Sequence, residues 1–212
     1  VLSQWVVNTG AKIDKVIRKR SDLAQNVLTT SYDGRFVVTN DYDMATKRTE
    51  AHLWDLDRDT LMHVFDMSKA THVRAALSTN GQTLALAYME EGKPGVHAVK
   101  IIDVPSGKVR TSTTSSIVGL VQDMAFSPSG DKLALGCVTI EVLNTATGTL
   151  AHTFRGDPQW ITSLSFSANG KYLLAAGQAG TTILYRLDKP AAVTMISSGD
   201  EWLAYDEAGY FD

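Results

Sequence analysis

The chain has 212 residues, 44% hydrophobic and 20% charged, a balance that supports a buried core and excludes a disordered polypeptide. A formal net charge of −3, with one short basic cluster at Arg18-Lys19-Arg20, gives no broad footprint for a phosphate backbone, so nucleic acid is not an expected partner. A single cysteine, Cys137, excludes an internal disulfide framework, and no apolar run approaches the ~18 residues of a membrane span.

No signal-peptide pattern is present, so a membrane is not an expected partner either; the composition points to the cytoplasm, with the periplasm as the alternative. In chain order, the first strand-like segments are Leu2 to Val7 and Lys12 to Ile17. The chain opens at Val1, without Met, inside the first of these, which predicts a processed product or a portion of a longer protein.

Next comes Ser31-Tyr32-Asp33-Gly34 ahead of an apolar run, and the same Ser, two-residue spacer and Gly return at Ser78-Thr79-Asn80-Gly81, Ser127-Pro128-Ser129-Gly130 and Ser167-Ala168-Asn169-Gly170. The steps between them are about 40 to 50 residues, the period of propeller blades. The third copy shows the unit most clearly. A strand at Val121 to Phe126 enters the turn, where Pro128 presets φ and Gly130 accepts a positive φ. Strands at Lys132 to Gly136 and Val138 to Leu143 follow, and Asn144-Thr145-Ala146-Thr147-Gly148 turns the chain into a fourth at Thr149 to Phe154.

A second marker keeps the same register. Third strands end at Trp5-Val6, Trp54-Asp55, Ile102-Asp103, Leu143-Asn144 and Tyr185-Arg186. The pattern predicts a half blade at 1–20, full blades at 21–66, 70–112, 117–155 and 158–198, and a segment 199–212 that is a closing strand or the start of a linker to a following domain. Small residues in Ala85-Leu86-Ala87 and Ala175-Ala176-Gly177 suit a crowded interior, while Trp54, Phe126, Phe166 and Tyr172 supply bulk between blades. No blade can hide both faces alone, so each must borrow a neighbour.

Met124-Ala125-Phe126-Ser127-Pro128-Ser129-Gly130-Asp131-Lys132-Leu133-Ala134 resembles the first strand, turn and second strand of a WD-repeat β-propeller, and Trp54-Asp55 stands where that family's dipeptide sits. The resemblance covers nearly the whole chain and implies an all-β propeller of four-stranded antiparallel blades, as part of a larger ring. The alternative is a closed ring of five, in which Glu201 to Tyr205, a turn at Asp206 to Gly209 and Tyr210 to Asp212 supply the two strands that the half blade lacks. The final run from Gly199 to Asp212 is similar to the segment that follows the last blade in bacterial proteins joining WD repeats to a caspase-like peptidase or another effector. What this implies is a scaffold or sensor whose partner is a protein or a fused effector domain, and which has no enzymatic activity of its own.

The chain departs from the family where Arg155-Gly156-Asp157 replaces the Gly-His pair of a His, Ser/Thr, Asp and Trp hydrogen-bond tetrad, so its blades are expected to rely more on packing. Gly136-Cys137 runs directly into Val138-Thr139-Ile140, implying a very tight hairpin or a missing loop. Long connections at Tyr42 to Glu50 and Met89 to Val96 fall on one side of consecutive blades and are the expected contact surface. Asp103-Val104-Pro105-Ser106-Gly107-Lys108 is similar to a turn of quinoprotein dehydrogenase propellers, whose downstream Trp does not recur here.

The candidate chemistry reads as structural. His52, His63, His72, His97 and His152 fall singly in different repeats, Cys137 has no nearby partner, and Glu90-Glu91 and Asp55, Asp57, Asp59 lack a Gly-bearing ligand loop. The sequence therefore predicts no catalytic residue, no metal site and no cofactor. Trp160 and Trp202, in connecting regions, are candidate anchors for a partner, with packing between blades as the other reading. Two alternative functions are a propeller enzyme, hydrolase or oxidoreductase, with its site in the central channel, and a five-bladed carbohydrate-binding lectin.

Overall fold

The structure is a computed structural model and describes residues 2–5, 12–15, 23–43, 48–117, 119–189, 191–198, 201–206 and 208–209. Every regular element among them is a strand. The strands β1 (Leu2–Trp5) and β2 (Lys12–Lys15) pair with each other. Sheet 1 holds β3 (Leu23–Thr30), β4 (Phe36–Asp43), β5 (Arg48–Asp55) and β6 (Thr60–Asp66). Sheet 2 holds β7 (Ala70–Leu77), β8 (Thr83–Glu90), β9 (His97–Asp103) and β10 (Val109–Ser115). In sheet 3 are β11 (Asp123–Phe126), β12 (Lys132–Gly136), β13 (Thr139–Asn144) and β14 (Leu150–Arg155). Sheet 4 has five strands: β15 (Ile161–Phe166), β16 (Tyr172–Gly177), β17 (Thr181–Arg186), β18 (Ala191–Ser198) and β19 (Glu201–Asp206).

Each of the four sheets is an antiparallel meander, and their first strands pack in series: β3 against β7, β7 against β11, β11 against β15. Sheets that meet along their first strands while their last strands stay apart must fan about an axis, which is the blade arrangement of a propeller. Burial follows from it. The middle strands are covered on both faces and read as continuous apolar runs, as in Leu84, Ala85, Leu86, Ala87 and Tyr88 of β8, all buried. The outer strands alternate; in β14 the exposed residues take every second position from Ala151 onward.

Three apolar layers lie between consecutive sheets, and in the second and third of them small residues on one sheet meet large ones on the next. Val38 and Leu53 of sheet 1 meet Leu84, Leu86 and Ile102 of sheet 2. Ala85, Ala87, Val99 and Ile101 of sheet 2 meet Phe126, Leu133 and Leu135 of sheet 3. Ala134 and Val142 of sheet 3 meet Leu173, Ile183 and Tyr185 of sheet 4.

The two sequence markers turn out to be halves of one lock. In every Ser-x-x-Gly turn the Ser Oγ accepts the N–H five residues on, at 2.8 Å for Phe36, 2.9 Å for Thr83 and 3.0 Å for Lys132 and Tyr172. The Gly N–H bonds back to the Ser carbonyl, with φ between 66° and 74° at Gly34, Gly81, Gly130 and Gly170, a region that disfavours a side chain. The carbonyl just after that Gly then accepts the N–H just after the residue that closes the third strand: Leu56 to Arg35 at 2.8 Å, and Val104 to Gln82, Thr145 to Asp131 and Leu187 to Lys171, each at 2.9 Å. One backbone bond per sheet thus ties the two markers together in space, whatever the length of the hairpin between them.

Two features differ from the sequence reading, the rim hairpins and the final strand, and at Cys137 the structure takes one of its two alternatives. Residues 42–43 and 48–50 are not loop: Tyr42 pairs with Thr49 and Asp43 with Arg48, so the hairpin is extended and the connection shrinks to 44–47, outside the described residues. Likewise β8 runs on to Glu90 and Met89 pairs with His97. The turn at Cys137 is very tight, with Gly136 opposite Ile140 and the carbonyls of Cys137 and Val138 taken by the N–H groups of Ile161 and Gly156. Finally, residues 201–206 form β19 on the outer edge of β18, whereas the five-bladed reading had them begin a blade of their own; Val193 to Ser198 match Glu201 to Asp206 residue by residue. The Tyr210 to Asp212 strand of that reading lies outside the described residues.

Candidate functional site

The two rims of the fan differ in kind. One carries the Ser-x-x-Gly turns and, in sheets 1 to 3, the Asx turns that end the third strands, and the polar side chains of these turns bond within them. Asp33, Asn80 and Asn169 each accept the preceding Ser hydroxyl and the N–H two residues on. In the third turn Ser129 replaces the acid or amide, and Asp131 takes over, accepting from Ser129 and from Ser127. The Ser129 hydroxyl and the Lys132 ammonium hold Asp131 well below the usual carboxylate range. At the other turns Asp55 accepts from Asp57 N and Arg58 N, Asp103 from Ser106 N, and Asn144 from Ala146 N and Thr147 N.

Asp55 is fully buried and also receives both Nε and Nη2 of Arg35, at 3.2 and 2.8 Å. Arg35, then desolvation in the opposite sense, set its pKa, and the result is a lowered value. A depressed carboxylate contributes stability above its unfolded pKa of ~3.9, lost as pH falls through the folded value. Asp55→Asn keeps the turn acceptor and loses the charge. We expect it to cost ~1 to 2 kcal/mol between pH 5 and 8, as the partly exposed Arg35 moderates the bond, and the difference from wild type in denaturant titrations to shrink as pH falls through the lowered folded value.

The opposite rim holds the remaining connections. Residues 91–96 are all exposed, with Val96 at 41%, and the loop is tied to its neighbour by Glu91 N–H to the Lys69 carbonyl at 2.8 Å. Glu90 pairs with Lys93 at 2.5 Å, which lowers the Glu90 pKa and raises that of Lys93. Between the two connections lies a groove of about 400 Å³ lined by Asp66, Met67, Lys69, Tyr88, Glu90 and Glu91 among others. Tyr42, 40% exposed, lies on this rim, in the extended hairpin of sheet 1.

Beneath this rim lie buried polar groups that the sequence reading did not find. His52 sits between Asp41 and Glu50, bonding Glu50 at 2.9 Å. Burial works against its charge, but the two carboxylates prevail and its pKa is raised. Trp54 Nε1 donates to Thr39 Oγ1 at 3.1 Å, so part of the polar bracing read as absent is present. Other blades use substitutes: Ser115 donates to the buried Glu141 at 2.6 Å, the Tyr185 hydroxyl to the Arg155 carbonyl, and the Thr181 hydroxyl to Asp157, which is fully buried and also accepts Gln159 N–H at 2.8 Å. Gly177 makes room for Asp157, since a Cβ there would lie 2.5 Å from both Cβ and Cγ of Asp157.

At the axis, side chains cap the open edges of neighbouring first strands. Asp123 accepts Leu164 N–H of the next sheet at 2.7 Å, and Arg74 Nε donates to the Gln122 carbonyl at 3.1 Å. Burial raises the Asp123 pKa. The structure brings together no convergent set of carboxylates there among the described residues, and no group of three or more His, Cys, Asp or Glu among them could hold a metal ion.

The other residues weighed from sequence are dispersed. His63 bonds the Val104 carbonyl at 2.9 Å, and His152 stacks on Phe154 at 5.7 Å. His97 is fully buried, and burial followed by the nearby His72 lowers its pKa. His72 itself is exposed with φ 54°. Cys137 is buried beneath Gly119. Trp160 and Trp202 are 42% and 67% exposed, so neither serves chiefly to pack one sheet on another. No helix among the described residues is long and apolar enough to cross a membrane.

Residues 148–186 match the family model "WD domain, G-beta repeat". Among solved structures the chain is similar to the "Crystal structure of RRP9 WD40 repeats", at 16% identity and a TM-score of 0.62, covering 84% of this chain and 56% of that one. It is also similar to a chain of the "Crystal Structure of Mitotic Checkpoint Complex", at 11% identity and a TM-score of 0.66, covering 97% of this chain and 74% of that one. The chain therefore spans little more than half the length of the first of these. No curated protein matches the sequence. The fold is that of a WD-repeat β-propeller.

Proposed function

We propose that the chain is a non-enzymatic interaction module that presents one rim of its propeller fan, built on the extended hairpins of sheets 1 and 2, to a protein partner or a fused effector domain. The observation that carries this reading is the inequality of the rims. Both rims hold a groove, of about 470 Å³ on one and about 400 Å³ on the other, but the first is built from turns tied by their own hydrogen bonds, while the second lies beside a fully exposed loop, residues 91–96. Long connections held by a rigid scaffold are where repeat proteins make contacts. WD40 neighbours lend the fold-level analogy, and one of them belongs to a complex by its title.

Lysines mark both rims, which gives a direct test. Lys69 and Lys93 are exposed on the rim of the loop, Lys108 and Lys171 on that of the tied turns. In amine cross-linking of the protein at its natural level, intermolecular links are expected at Lys69 and Lys93, and those at Lys69 are expected to disappear when residues 90–96 are replaced by Asn-Gly, a two-residue turn between the paired Met89 and His97. Links confined to Lys108 and Lys171 that survive the replacement would overturn the assignment.

A further inference from the structure

Sheet 4 is one strand wider than the sheet it packs on. Sheets 1 to 3 end at their fourth strands, whereas β19 continues sheet 4 past β18. Contact between sheets 3 and 4 reaches outward to Phe154 of β14, whose ring meets that of Tyr185 with centroids 4.8 Å apart, and with β14 sheet 3 stops. Beyond it, no strand among the described residues lies opposite the face that β18 and β19 turn toward sheet 3. Register puts Ala192, Thr194 and Ile196 on that face beside Tyr185, Ile183 and Thr181, with Tyr205 opposite Thr194 and Leu203 opposite Ile196. Ile196 is 37% and Leu203 44% exposed. The result is a cleft of about 530 Å³ under this overhang, walled by Arg155, Gly156 and Pro158 at the end of sheet 3.

We infer that the cleft receives an extended segment of a partner protein, which joins the outer edge of β14 as a fifth strand of sheet 3 and lays its apolar side chains on the overhang. Strand addition satisfies the backbone groups of an open edge, and alternate side chains then supply specificity. This fold already takes such a strand at the equivalent place, since β19 pairs with the outer edge of β18 from Val193 to Ser198. The outer edges of β6 and β10 are open too, but the sheets that follow them have four strands, so a segment added there would meet no overhang. Charge sets the polarity of the occupant. Arg155 is exposed at the Thr181 end, and its guanidinium meets no carboxylate among the described residues, while Asp206 lines the Ala192 end. A strand antiparallel to β14, as β19 is to β18, therefore fits with an acidic residue near its start and a basic one near its end. The cleft belongs to sheets 3 and 4, so its occupation does not depend on the hairpins of sheets 1 and 2.

The probe is the synthetic peptide acetyl-Glu-Val-Thr-Val-Thr-Val-Lys-amide, compared with its charge-reversed form, acetyl-Lys-Val-Thr-Val-Thr-Val-Glu-amide. Each is titrated into the isotope-labelled 212-residue chain and followed by backbone amide shifts. The first peptide should give saturable shifts confined to β14, β18, β19 and the residues joining them, and the second should bind ~5-fold more weakly. Arg155→Glu should invert that preference, which a merely structural disturbance would not do. Ile196→Lys should weaken both peptides by ~10-fold, through loss of apolar burial. Failure of either peptide to bind the wild type, an unchanged preference in Arg155→Glu, unchanged affinity in Ile196→Lys, or equal shifts along β6 and β10 would overturn the inference. So would the same shifts arising without peptide as the protein concentration rises, which would assign the cleft to a second copy.

Discussion

Gly177→Ala should be among the most damaging single-methyl changes in the molecule. The new Cβ would fall against Asp157, whose carboxylate is fully buried and holds Gln159 N–H and the Thr181 hydroxyl. Neither backbone nor carboxylate can retreat without breaking those bonds, and a buried carboxylate left unpaired is costly. The expected loss is ~2 to 4 kcal/mol in urea unfolding. Gly180→Ala separates sterics from backbone strain: its φ is 80° but a Cβ there meets nothing within 4 Å. Only the left-handed penalty of ~1 to 2 kcal/mol applies to it. Equal effects at the two glycines would show that Asp157 is not held as described.

The second large effect is expected from Leu135→Ala. Leu135 is fully buried in the layer that joins sheets 2 and 3, facing Ala85, Ala87, Val99 and Ile101 across it. Its facing residues are small or β-branched and held in paired strands, so the cavity should persist and the cost should reach ~3 to 5 kcal/mol. Stacked sheets touch only their neighbours, so weakening one junction should also split the unfolding transition, separating sheets 1 and 2 from sheets 3 and 4. Calorimetry of Leu135→Ala should show a broadened or double peak where wild type shows one. Leu174→Ala, at 39% exposure, should cost under about 1 kcal/mol and leave the peak single. A sharp single transition for Leu135→Ala would mean that the sheets cooperate beyond nearest neighbours.

What the sequence revealed and what it hid follow the range of the interactions. The Ser-x-x-Gly turns and the Asp or Asn that ends the third strand in sheets 1 to 3 were legible because their hydrogen bonds span two to five residues and require particular side chains. The blade order followed from their spacing. Asp123 with Leu164 and Thr181 with Asp157 were not legible, because 41 and 24 residues separate the partners and only the fan brings them together. Arg155-Gly156-Asp157 read as a lost Gly-His pair, when the acid itself braces the blade. The available signal was Gly177, which opens the turn to Gly180 although the positive φ of that turn falls on Gly180 alone. Strand extension past Tyr42 and Met89 was hidden for another reason: polar residues such as Asp41, Glu50 and Glu90 suit a loop by composition, yet in a rim hairpin they lie on paired backbone. The seat of β19 depended on which edge its alternation would choose, and either was compatible with the residues.

The bond that joins the two turns of each sheet also bears on how such a chain can change. A codon gained or lost between Ser31 and Leu56 on the tethered side would slide the Leu56 amide away from the Arg35 carbonyl, and the same holds in each later copy. Drift in repeat size is thereby shunted to the opposite side, where hairpins can lengthen two residues at a time without disturbing the anchor. The first two sheets, whose second strands have 8 residues against 5 and 6 in the last two, record that growth. New recognition surfaces on this scaffold should therefore arise by hairpin elongation at that end, while the tethered end keeps its length.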